Sequence, residues 1–164
     1  MKIQKTMATA TTKTKTNELP PNPFVSEILD LASKQRSNAK KVEVLQRYKT
    51  DALMSILIWN FDESVISMLP EGPVPFKPND APAGTEHTSI RSEARNFYNF
   101  VKGGNDSLSK TRRETIFIQI LETLHPEEAQ LLVLCKDKQL QSKYKITKQV
   151  VADAFPEIQW GNRS

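Results

Sequence analysis

Apolar residues recur along most of this chain at the spacing of an amphipathic helix, not the alternation of a strand. Val25, Ile28, Leu29 and Ala32 follow the i, i+3, i+4, i+7 rule and predict a helix entered through Pro23. Asn38 is the expected cap of a second helix, with Val42, Leu45 and Tyr48 facing inward. A third begins at Asp51, with Leu53, Ile56, Leu57 and Trp59 as its bulk. Residues 64–69 are apolar but so short that helix and strand patterns coincide, and a short helix suits their neighbours.

Thr88 or Ser89 opens the next helix, expected to turn Ile90, Ala94, Phe97, Tyr98 and Val101 inward and to end at Gly103 and Gly104. The stretch 111–140, TRRETIFIQILETLHPEEAQLLVLCKDKQL, holds most of the core. Thr111 and Glu114 have capping-box spacing, and Ile116, Phe117, Ile120, Leu121 and Leu124 share one face. After His125, Pro126 with Glu127 and Glu128 starts a helix that is apolar nearly all round, the expected buried centre. Thr147 caps a last helix carrying Val150, Val151, Ala154 and Phe155, which Pro156 stops. The prediction is an all-α domain over residues 23–164, six to eight short helices in one compact bundle.

Two segments depart from this pattern. Residues 1–22 are rich in Thr and Lys, poor in large apolar groups and closed by Pro20 and Pro21, so a disordered basic arm is expected. It reads either as a phosphate-contacting arm or as a solubilising tail. Residues 69–87 form a proline-rich loop, since five of the ten prolines fall within 70–86 and exclude regular structure there. This loop is either a linker between two helical halves or an extended segment whose Val74 and Phe76 dock onto a partner or back onto the body.

Length and composition fit one soluble domain: 164 residues, 38% apolar and 26% charged, can bury a core without disulfides or metals. Cys135, the single cysteine, sits in an apolar run and is expected to be an inert buried thiol in a reducing cytosol. No run reaches the roughly 20 apolar residues that span a bilayer, and no apolar block follows the N-terminal lysines as a signal peptide requires. A cytoplasmic protein with no membrane partner is the expectation.

The net charge of +4 is unevenly spread. Residues 1–22 hold four lysines against one glutamate, which leaves the body near neutral. Within the body, 34–49 carries six basic residues and one acid, 91–113 six against two, and 136–148 five against one. Acidic stretches lie between them at 51–86 and 114–128. Such runs are either solvated helix ends or a patch assembled by folding.

Catalytic patterns are missing from the residues. His87, His125 and Cys135 lack metal-ligand spacing, so no metal or cofactor is expected. Gly103 and Gly104 lack the Lys–Ser/Thr pair of a phosphate loop, and the adjacent carboxylates Glu127 and Glu128 suit helix capping. The expectation is a non-catalytic protein with no small-molecule substrate. Binding remains. Arg112 and Arg113 at a helix start would hold a phosphate or carboxylate, or pair with nearby acids. Lys136, Lys138, Lys143 and Lys145 surround the entry to the last helix and would offer phosphate contacts, with Tyr144 as a stacking ring or a loop anchor.

Two resemblances follow from these residues. VSEILDLASKQRSNAKKVEVLQRYK with the helix after it, and the close ITKQVVADAFPEI, resemble the all-helical N-terminal DNA-binding domain of ATP-dependent DNA ligases from T-even-like phages, over roughly 25–60 and 95–158. That resemblance implies duplex-backbone contacts by Lys40, Lys41, Arg112, Arg113, Lys143, Lys145 and Lys148. The KxDG nucleophile motif of those ligases does not occur here, so ligation is not implied. The chain is more extensively similar to small uncharacterised proteins of T-even-like phages of marine bacteria, through LPEGPVPFKP, RRETIFIQILETLHPEEAQLLVLCKDKQL, KYK and VVADAFP. The expected function is a phage accessory module on duplex DNA. The alternative is a protein-interaction or virion-associated module that docks a phage or host protein through Val74, Phe76 and the acidic face.

Overall fold

Seven α-helices and two 3-10 helices make up the regular structure of the described residues, 18–81 and 87–163, in the computed structural model. In order these are α1 (Val25–Ser33), α2 (Asn38–Arg47), α3 (Asp51–Phe61), α4 (Ile90–Glu93), α5 (Lys110–Thr123), α6 (Pro126–Lys136) and α7 (Lys148–Ala154). The 3-10 helices cover Ala94–Phe100, directly after α4, and Leu140–Ser142. The fold is all-α, as the periodicity predicts. Among the described residues, extended pairing is limited to two isolated bridges, Ser67 with Val101 and Thr88 with Leu124.

The core is built around α6, which packs on α3, α1 and α5. Ala129, Leu131, Leu132 and Cys135 are fully buried on it. Its first turn also carries Glu128, fully buried, whose carboxylate accepts from Ser26 N at 3.1 Å and Ile90 N at 2.8 Å. These are leading donors of α1 and α4, which have no partner inside their own helices. One acid therefore fixes where two other helices begin.

The two caps differ from expectation by one or two residues. Ser37, not Asn38, caps α2 by accepting from Lys40 N at 3.2 Å. Ser109, not Thr111, caps α5 by accepting from Arg112 N at 3.1 Å, so Thr111 lies inside the first turn and its carbonyl accepts from the Thr115 hydroxyl. In each case the serine hydroxyl sits three residues before the donor it satisfies, the reach that geometry requires. Packing turns Lys41, Val44 and Leu45 inward on α2, with Val42 only partly buried.

Residues 64–69 are not helical. The Asp62 carboxylate accepts from Ser64 N and Ser64 Oγ and ends α3, and the chain then runs extended. Met68 N donates to Phe100 O at 2.7 Å and Lys102 N to Ile66 O at 2.8 Å.

A second correction concerns the helix opened by Ser89. It tightens to 3-10 at Ala94 and ends at Phe100, before the glycines. A repeat of three brings Phe97 and Phe100 inward and turns Tyr98 out, where it is 51% exposed. The α-helical repeat assumed from the sequence had placed Tyr98 in the core.

The proline-rich stretch lies back on the body. Lys136, buried, donates to Pro70 O at 2.8 Å and Gly72 O at 2.9 Å. Gly72 N donates to Asp137 Oδ2, and Lys77 N to Glu122 Oε2 at 2.9 Å. Val74 and Phe76 are partly buried against the core. Most of the expected arm, residues 1–17, lies outside the described residues. Leu19 packs on the body and donates its N–H to Tyr48 Oη at 3.0 Å.

Candidate nucleic-acid interface

The helices α2 and α7 pack side by side and run in the same direction. Asn38 and Thr147, at their starts, border one groove, while Gln46 Nε2 meets Ala154 O and Lys49 pairs with Glu157 at the far end. The groove, about 730 Å³ and open to solvent, is lined by Lys34, Arg36, Lys41 and Lys145 with Gln35, Gln141 and the polar starts of both helices. No carboxylate is among the described residues that line it. Local sequence explains the shape. After α1 the chain turns through 34–37, Ser37 caps α2, and Lys145 N donates to Ser33 Oγ at 2.9 Å to close the loop before α7 against the same turn.

Lys41 forms the back of this groove and is buried. Its ammonium donates to Ser33 O at 3.2 Å and to Ala32 O at 3.5 Å, two carbonyls at the C-terminal end of α1. Burial first, then the neighbouring Lys145 charge, lowers its pKa. Lys34 meets Asp30 at 2.9 Å, an exposed i, i+4 pair of the kind worth about 0.3–0.5 kcal/mol. A second shallow surface on the other side of Arg36 adds Lys40 and Arg47, with Glu43 as its acid.

The residues expected to touch DNA divide sharply. Lys40, Lys41 and Lys145 come together around the 34–37 turn. Lys148 is exposed at the start of α7, its ammonium 5.0 Å from the centre of the Trp160 ring. Lys143 is held away from the groove by Glu127 Oε1 at 2.8 Å and Gln130 Oε1 at 2.6 Å. Arg112 is exposed on α5, an element that does not line the groove. Arg113 is buried and donates to Asn99 O at 2.8 Å, Asn105 O at 3.0 Å and Leu108 O at 3.1 Å. It locks the 99–108 loop, commits three of its five N–H groups to backbone carbonyls and is almost wholly buried.

Lys136 and Lys138 serve the same structural purpose. Lys138 donates to Trp59 O at 2.6 Å and Asp62 O at 2.8 Å at the end of α3. Tyr144 is buried and acts as the anchor of its loop, not as a stacking ring; its hydroxyl is pushed up out of the usual range by burial. Cys135 is fully buried, and the two histidines stack edge to face at 5.3 Å. No group of three or more metal-ligating residues occurs among the described residues.

Sequence reasoning missed Lys34 and Arg36 as site residues. The signal was present in the basic run 34–49, but singling them out required knowing that 34–37 is a turn and that position 145 folds onto it.

A small all-α protein with one basic groove and a tightly pinned core is the class that fold and site define. The chain belongs to a family of unknown function, DUF6433, which matches residues 28–142. The matched span includes Lys34, Arg36, Lys40 and Lys41, while Lys145 lies just beyond it. No curated protein and no solved structure matches the chain. No helix among the described residues is long and apolar enough to cross a membrane.

Proposed function

We propose that this protein is a non-catalytic accessory module that holds the duplex DNA backbone in the groove at the start of α2. The observation that carries the reading is the convergence of Lys34, Arg36 and Lys145, in front of the buried Lys41 ammonium, on one open concave surface with no carboxylate among its described lining residues. An extended polyanion suits such a surface, since each neutralised phosphate releases condensed counterions. Exposed Lys40 and Lys148 extend the positive rim, and Asn38 at the start of α2 lines the groove, so the positive end of that helix dipole lies beside it. A near-neutral body implies weak, backbone-directed binding with little sequence preference. On this reading the protein is phage-encoded and works in the cytoplasm of the infected cell.

The rival reading, protein docking through Val74 and Phe76, has less support because both side chains already pack against the body.

The test is binding of the full chain to a fluorescent random duplex at about 50 mM and 200 mM salt, where counterion release predicts a steep loss of affinity. A variant with Lys2, Lys5, Lys13 and Lys15 changed to Gln separates the arm from the groove. Salt-sensitive binding that survives in this variant and falls in Arg36→Ala/Lys145→Ala supports the reading. Binding carried by the arm lysines alone, or no binding, sinks it.

A further inference from the structure

The 3-10 helix Ala94–Phe100 repeats every three residues, so Phe97 and Phe100 enter the core while Arg95 and Tyr98 stand one above the other outside. Among the described residues, the exposed large hydrophobic side chains are Tyr98 and Ile66, at 51% and 42%. Tyr98 rims a shallow depression floored by Trp59, Phe97 and Val101 and flanked by Arg163, again with no carboxylate among its described lining residues.

This surface is rigid. The Trp59 indole donates to Ser67 Oγ at 2.8 Å, and its ring lies 5.5 Å from Phe97. A Cβ on Gly104 would collide with the Tyr98 carbonyl oxygen, so the loop after the 3-10 helix closes directly against the Tyr98 backbone. An exposed aromatic ring on a fixed backbone has little conformational freedom to lose when something stacks on it.

The charge around the depression favours a polyanion over an acidic or neutral peptide. Arg95 and Lys102 are exposed beside Tyr98 in sequence, whereas Arg163 is partly neutralised by Asp62 Oδ2 at 2.6 Å. The nearest acid in sequence, Glu93, turns away to Thr88 Oγ1 and Asn96 Nδ2. The segment that ends at Arg163 also carries Trp160, which lies under Lys148 at the start of α7. This segment thus runs from the depression to the start of α7, whose cap Thr147 lines the basic groove.

We infer that this depression is a second nucleic-acid contact, which takes an unpaired base stacked on the Tyr98 ring with its phosphate beside Arg95. The inference rests on the nucleic-acid reading above and narrows its substrate to a duplex with a single-stranded extension. An exposed ring flanked by cations is the arrangement that binds unpaired strands without sequence preference.

The test uses the full chain with two fluorescent probes, a blunt duplex and the same duplex bearing a thymidine tail. The tailed probe is expected to bind roughly tenfold tighter than the blunt one, the size of one base stacked on an aromatic ring. Tyr98→Ala abolishes that difference and leaves blunt-duplex affinity unchanged, while Tyr98→Phe keeps it. A circular-dichroism melt of each variant shows that the fold is intact. Equal binding of the two probes by the wild-type protein overturns the base site and leaves the duplex reading standing. A tail preference that persists in Tyr98→Ala also overturns it and assigns the exposed ring to another class of partner. Binding of neither probe overturns both readings.

Discussion

Glu128 accepts the backbone N–H of Ile90 at 2.8 Å across 38 positions of sequence, and the same carboxylate accepts that of Ser26 at 3.1 Å. Removing it strands donors in the centre of the protein, where an unmet hydrogen bond costs most. Glu128→Ala is therefore expected to lose about 2–4 kcal/mol. Glu128→Gln, which keeps one carbonyl acceptor, loses less. Urea unfolding followed by circular dichroism measures both, and an alanine variant as stable as the wild type would refute the role assigned to this carboxylate.

Two buried acids give opposite pH dependences. Burial disfavours ionised Asp62, but hydrogen bonds from Gly161 N, both donors of Ser64 and Arg163 outweigh it and hold the carboxyl down at about 2. Because the folded value is the lower one, this group's stabilisation is present above its unfolded value of 3.8 and is lost as pH falls through about 2. The shift corresponds to roughly 2 kcal/mol at neutral pH. Burial raises Glu128 despite its backbone donors, so its contribution runs the other way and declines as pH rises through the folded value. Asp62→Asn should lower stability at pH 7 and flatten the acid limb between pH 4 and 2. An unchanged acid limb in the variant would show that other carboxyls govern it.

Helix existence and the core were legible in the sequence because burial leaves a periodic trace. Leu53, Ile56, Leu57, Phe117 and Leu121 were read as core positions and are buried, whereas Ile116, and Val133 and Leu134 on the helix read as apolar nearly all round, are only partly buried. Tyr98 was misread because the 3-10 repeat of 94–100 has no compositional signature; only the packing of Phe97 on Trp59 reveals it. The basic residues were hardest to read. Arg113 and Lys40 look alike in sequence, yet one lies under a loop whose carbonyls it collects and the other faces solvent. Which cation becomes structural depends on where carbonyls without helix partners fall after folding, and no local pattern encodes that. The groove escaped notice for the same reason, since its two walls are more than a hundred residues apart.

Cys135 should report global unfolding. It is fully buried, its thiol donates to Ile56 O at 3.4 Å, and burial pushes it far above the ordinary thiol range. Native protein is expected to react with a thiol reagent at least about a thousandfold more slowly than unfolded protein, since the thiolate forms only after the core opens. The labelling rate in rising urea should track the unfolding curve. Fast labelling in buffer would mean that α6 opens locally and is not the buried centre.

The division between structural and available cations makes the final prediction. Arg113→Met keeps the apolar stem but forfeits donors to three carbonyls, and should cost about 2–3 kcal/mol of stability while leaving the salt dependence of DNA binding unchanged. Arg36 is exposed in the turn between α1 and α2, so Arg36→Ala should change stability by no more than about 0.5 kcal/mol. The same variant should reduce the salt slope of duplex binding by about 1, the signature of one lost phosphate contact. Paired denaturation and salt-titration measurements on the two variants separate the roles. If Arg113→Met were to lower the salt slope while Arg36→Ala left it intact, the interface would lie on the α5 side and the groove at the start of α2 would not be the binding surface.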